Sequence, residues 1–123
     1  MKGIEGRFLI YEELPNDAPL AFNKLLEIFS FKMAPVDIYG VYFSNNRCKL
    51  GITSETGSLQ IWLTILKYNI SEMIPKLCMF KGEKVYEKYK NIVLKNRSKE
   101  QMEELSDFLI EYFAEELKQN DME

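Results

Sequence analysis

The sequence predicts a single small α+β domain: an antiparallel β-meander over about residues 36–68, joined by an N-terminal strand, packed against amphipathic helices, two or three of them C-terminal. Three observations predict it. Val36 to Tyr68 is rich in β-branched and aromatic residues set between turn residues at near-regular spacing. Within it, Cys48, Leu50 and Ile52 alternate with Lys49, Gly51 and Thr53, and Leu59, Ile61, Leu63 and Ile65 alternate with Gln60, Trp62 and Thr64. That period of two puts one apolar and one polar face on each strand. After Tyr68 the apolar residues change to helical spacing, which supplies a cover for the apolar face.

Arg7 to Glu12 reads as the first strand and Leu14 to Asp17 as a turn. Asp17 then stands where a helix N-cap belongs, with Pro19 in the first turn, where its missing amide hydrogen costs nothing. Leu20, Leu25, Leu26, Ile28, Phe29 and Met33 form the apolar stripe of that helix, which Pro35 stops. The meander follows, with Asn45-Asn46 as a two-residue hairpin turn tolerant of positive φ and Ser54 to Ser58 as the second turn. Asn69 to Glu72 matches a capping box, predicting a short helix carrying Met73, Ile74, Leu77 and Phe80 that Lys81-Gly82 ends. Glu83 to Asn96 reads better as a helix than as a strand, because Val85, Tyr86, Tyr89, Ile92 and Val93 share one stripe. A second capping box, Ser98 to Gln101, opens the clearest helix, with Met102, Leu105, Leu109, Tyr112 and Phe113 inward and Phe108, Ile110 and Leu117 widening the stripe. No repeat or composition break divides the 123 residues, and Gln119 to Glu123 reads as a frayed end.

The chain contains no histidine. Serine–histidine and cysteine–histidine nucleophiles and imidazole-bound zinc are thereby excluded. Cys48 and Cys78 have no neighbours at ligand spacing and read as small buried hydrophobes in a reducing compartment. With no apolar run of spanning length and no export signal, a cytoplasmic protein that does not enter membranes is expected. The glycines form no phosphate-binding fingerprint; Gly40 and Gly51, inside strands, mark bulges or close backbone approach. Glu12-Glu13 makes a poor acid–base pair, since neighbours on a strand point apart. No cofactor and no metal site are expected, and the protein is not expected to be an enzyme.

Three surfaces remain as candidates. Glu100, Glu104, Asp107, Glu111 and Glu115 recur at steps of three and four and line one face of the last helix, fit to dock a basic partner or to imitate a nucleic-acid backbone. An ordinary solvent face explains the same row, and all of it standing on one helix argues against a cation site. Tyr39, Tyr42 or Phe43, Trp62 and Tyr68 lie on predicted strands and fill the core if helices cover both faces; exposed on an open face, Tyr39, Trp62 and Tyr68 form the aromatic anchor of a protein-binding face or a homodimer seam. Lys76 to Lys99 holds eight basic residues against two acidic ones, whereas Glu100 to Glu123 holds nine acidic residues and one lysine. Lys84, Lys88 and Lys95 in that block could face phosphates, or the basic and acidic helices could lie together as mutually attractive faces. The expectation is a small protein-interaction module, an inhibitor or adaptor that occupies a partner surface, of the kind found among mobile-element defence inhibitors and immunity proteins. The alternative is a nucleic-acid-associated regulator using residues 81–99.

Overall fold

Residues 13–34, 40–53, 59–93 and 99–118 are described by the computed structural model. The strand expected at Arg7–Glu12, the Ser54–Ser58 turn, Tyr39, Lys95 and the Gln119–Glu123 end lie outside the described residues. The elements in chain order are α1 (Leu14–Ala21), α2 (Asn23–Ile28), β1 (Lys32–Met33), β2 (Gly40–Ser44), β3 (Cys48–Thr53), β4 (Gln60–Ile65), β5 (Ile70–Met73), α3 (Ile74–Lys81), α4 (Glu83–Val93), α5 (Lys99–Tyr112) and α6 (Ala114–Leu117).

The period-two alternation does what it predicts. Cys48, Leu50 and Ile52 on β3 and Ile61 and Leu63 on β4 are buried with Val41 and Phe43 of β2, so one face of the sheet is core. Burying each such aliphatic or aromatic side chain contributes about 1.5–3 kcal/mol. The sheet is an antiparallel meander, as expected, but among the described residues it has five strands in the order β1-β2-β3-β4-β5. Helices α1, α2, α3, α4 and α5 supply the opposite wall of a single core through Ala18, Phe22, Leu25, Cys78, Tyr89, Ile92, Leu105, Phe108 and Leu109.

Both added strands come from segments that the sequence assigns to helices. The first helix starts earlier than Asp17: Leu14 to Asp17 is its first turn, Pro15 sits where no amide hydrogen is needed, and Glu13 caps it without a side-chain bond. Helix α2 stops at Ile28, well before Pro35. Ser30 adopts φ 58°, and the Phe31 amide donates to the Leu26 carbonyl at 2.9 Å, the six-to-one bond of a Schellman close. The chain is thereby free to lay Lys32 and Met33 beside β2. Of the expected stripe Leu25 and Phe29 are buried, while Leu20, Ile28 and Met33 are exposed; Ala18, Ala21 and Phe22 take their places.

The second correction falls at Ile70–Met73, which forms β5 and not the start of a helix. Asn69, at φ 53°, turns the chain after Leu66, and β5 then pairs residue for residue with β4, from Ile65–Ile70 to Trp62–Met73. Completing the open hydrogen-bonding edge of β4 satisfies more backbone groups than one capped helical turn would. Helix α3 begins behind it at Ile74, with Pro75 in its first turn, and ends at Gly82, φ 129°, as the Lys81-Gly82 pair predicts. Ile74 and Cys78 are its buried residues, and Phe80 is exposed. In α4 Tyr89 and Ile92 of the expected stripe are buried and Val85, Tyr86 and Val93 half-buried. In α5 Met102, Leu105 and Leu109 are buried with Phe108, and Tyr112 is half-buried. A break at Phe113 puts Glu115 on α6, off the helix that carries the other four acids of the row.

The β2–β3 turn also differs from the expectation. Its central residues are Asn46 and Arg47, neither at positive φ. The Asn45 side chain organises it: Oδ1 accepts the amides of Arg47 (2.9 Å) and Cys48 (3.0 Å), while Nδ2 donates to the carbonyls of Phe29 (2.9 Å) and Leu117 (2.8 Å). One side chain thus ties the hairpin to the ends of α2 and α6. Arg47 adds a bond from Nη1 to the Glu115 carbonyl at 2.7 Å.

Candidate functional site

Cross-strand partners share a face, so register alone assigns the side of the sheet opposite the core. Tyr42, Gly51, Trp62 and Met73 form one row across β2, β3, β4 and β5. Lys32, Ser44, Lys49, Thr64 and Ser71 form the next row, across all five strands. Gly40, Thr53 and Gln60 form a third. Helices cover the other face of the sheet, and a trough of about 330 Å³ lies on this one, lined by Tyr42, Lys49, Gly51, Thr53, Trp62, Thr64 and Ser71.

Gly51 shapes the trough. It sits in register on β3 with no bulge, and its missing side chain leaves a notch between the flanking aromatics. A Cβ there would lie 3.0 Å from Cδ1 of Tyr42, so the tyrosine ring leans over the glycine. The Lys49 ammonium stands 5.9 Å from the centre of that ring, close enough for cation–π attraction. On the other side Trp62 is 38 % exposed, a large aromatic half open to water. The Thr64 and Ser71 hydroxyls are hydrogen-bonded to each other at 2.7 Å and close the far end. Gly40 has a different cause: a Cβ there would come within 2.9 Å of the Ile52 carbonyl oxygen, the close backbone approach expected of it.

Of the three aromatics singled out from the sequence, Trp62 lines this trough. Tyr68 stands apart on the β4–β5 turn, 63 % exposed, with the Lys67 ammonium 5.5 Å from its ring centre. Tyr39 lies outside the described residues. Of the pair Tyr42 or Phe43, Phe43 is buried in the core, and the aromatic on this face is Tyr42. Its phase opposite Val41 and Phe43, together with the hairpin register that sets it beside Gly51, is the signal that finds it.

The acidic row stands elsewhere. Met102, Leu105 and Leu109 turn one side of α5 into the core, and Glu100, Glu104, Asp107 and Glu111 are exposed on the other. The row therefore stands on the helical layer and not on the face that holds the trough. Glu111 is paired with Lys88 of α4 at 3.2 Å, and Lys88 also lies 5.2 Å from the centre of the Tyr112 ring. The hydrogen bond to Glu111 holds the Lys88 ammonium above its usual pKa. Lys81 pairs with Glu116 at 2.6 Å, Lys90 with Glu87 at 3.7 Å, and Glu115 with Lys118 at 3.0 Å. The basic helix α4 and the acidic helix α5 lie side by side and are tied by Lys88–Glu111, while Lys81–Glu116 joins α3 to α6 and the other two pairs are internal to α4 and to the α6 end; each is worth below about 1 kcal/mol at the surface. Lys84 is exposed on α4, and Lys95 lies outside the described residues.

Cys48 and Cys78 are buried free thiols in the core. Burial pushes Cys48 up to about 11, opposed by Arg47, and Cys78 up to about 12, opposed by Lys81. Both stay protonated at neutral pH, the unreactive form. Among the described residues no three histidine, cysteine or acidic side chains converge as metal ligands, and no helix is long and apolar enough to cross a membrane. No family model matches the chain, and neither a curated protein nor a solved structure is significantly similar to it.

Proposed function

We propose that this protein is a small non-enzymatic interaction module, an inhibitor or adaptor, that works by occupying a partner's surface with the open face of its sheet. One observation carries this reading: helices cover one side of the meander, and the other presents a half-exposed tryptophan beside a glycine notch and a tyrosine. Large aromatics at the centre of a polar-rimmed concavity are the residues on which protein interfaces concentrate their affinity. The absence of histidine and the buried, protonated thiols support a non-catalytic role. Ties from Lys81 and Lys88 to Glu116 and Glu111 favour a protein partner over nucleic acid, because those ammonium groups already have carboxylate partners.

Affinity capture from the native host with mass spectrometry tests the proposal, using the wild-type chain, Trp62→Ala and the pair Glu100→Lys/Asp107→Lys. The expected result is a protein retained by the wild type, lost by roughly tenfold or more with Trp62→Ala, and kept by the charge-reversed pair. Recovery of the same protein in equal amount with Trp62→Ala, by a variant whose circular dichroism matches wild type, would overturn the sheet face as the working surface.

A further inference from the structure

The open face has a chemistry of its own within a chain of net charge −3. Among the described residues, the three rows across this face contain two lysines, Lys32 and Lys49, and no carboxylate. Glu72, on the neighbouring edge strand, belongs to the other side: it is paired in register with the core residue Leu63 and bridges to Lys76 of α3 at 3.2 Å. Acidic residues are instead concentrated on the outward side of α5. Among the described residues, the face that carries the aromatic notch is therefore positive.

We infer that this face binds an acidic peptide segment of a protein partner, with one aromatic side chain of the segment entering the notch above Gly51 and flanking Asp or Glu side chains meeting Lys49 and Lys32. The inference rests on the interaction reading above and names the chemistry of the partner. Tyr42 and Trp62 stand on the strands either side of β3, about 10 Å apart at the backbone. That gap, with the tyrosine ring already leaning into it, takes one ring and not a stack. At about 330 Å³ the trough is at the small end of ligand pockets, the size for a side chain anchored by its neighbours. Lys32 and Lys49 lie on alternate strands, again about 10 Å apart, so two carboxylates flanking the anchored ring can reach them. Single-stranded nucleic acid fits less well: it needs a file of cations along its phosphates and a platform for successive bases, and this face offers two lysines and one notch.

Emission of Trp62, the one tryptophan of the chain, reads the test directly. The probes are a blocked peptide Glu-Asp-Phe-Asp-Glu, the same peptide with Ala for Phe, the same peptide with Lys for each acid, and a short oligothymidylate, each titrated to about 1 mM. The acidic Phe peptide is expected to shift the emission saturably, with the Ala and Lys peptides weaker. Lys49→Glu, an exposed substitution that leaves the core alone, should weaken the Phe peptide roughly three- to tenfold. Gly51→Val, whose side chain would press on the Tyr42 ring and close the notch while favouring a strand, should abolish saturation. Tighter binding of oligothymidylate, equal binding of the Lys peptide, or an unchanged titration with Gly51→Val would each overturn the inference. If no peptide shifts Trp62 while Trp62→Ala still strips a captured protein from the beads, the acidic-peptide chemistry is wrong and the interaction reading stands. If both experiments fail, both readings fall.

Discussion

Phe108→Ala is expected to cost about 3–5 kcal/mol of stability, the range for deleting a fully buried aromatic. Phe108 is 1 % exposed, and its ring stands 5.8 Å from Tyr89 of α4, 5.0 Å from Tyr112 and 6.1 Å from Phe113, centroid to centroid. It is the side chain on which α4, α5 and the entry to α6 converge, so its removal leaves a cavity between three elements that cannot all close on it. Natural domains of this size are stable by about 5–15 kcal/mol, so the loss consumes a large part of the total. Urea unfolding followed by circular dichroism measures it. A loss below about 1.5 kcal/mol would mean that α4 and α5 do not pack through this ring.

Asn45→Ala should cost about 2–4 kcal/mol, far more than a turn residue ordinarily contributes. Its side chain joins the β2–β3 turn to the Phe29 and Leu117 carbonyls and accepts from the Arg47 and Cys48 amides and the Cys48 thiol, and alanine leaves both carbonyls and two amides without those partners. Asn45→Asp keeps the accepted bonds but sets a carboxylate against the two carbonyls, so it should recover only part of the loss. The same urea experiment decides. If Asn45→Ala unfolds within about 0.5 kcal/mol of wild type, the bridge from hairpin to α6 carries no weight.

Asn45 also shows where the sequence stops being informative. Asn-Asn marks a turn by composition, but the bonds to Phe29 and Leu117 span 16 and 72 positions, and no local signal encodes them. What was legible is whatever a strict period dictates: the buried faces of β3 and β4 follow from alternation alone, as do the stripes of α4 and α5. What was not legible is where tertiary pairing overrides a local pattern. A left-handed serine at Ser30, with no glycine to announce it, ends α2 and releases β1. The bare edge of β4 draws Ile70–Met73 into the sheet against a capping-box sequence. Of the candidate surfaces, Trp62 was recognisable from its phase, whereas the trough around it needed the register that sets Tyr42 beside Gly51.

A sheet that the described helices cover on one side only is the premise on which the functional reading stands, and acrylamide quenching of Trp62 in the free full-length chain tests it most directly. An open trough predicts the red emission of a half-wet indole, quenched readily by acrylamide, in keeping with a side chain 38 % exposed. Blue emission that acrylamide does not reach would place Trp62 under a cover and contradict the open face.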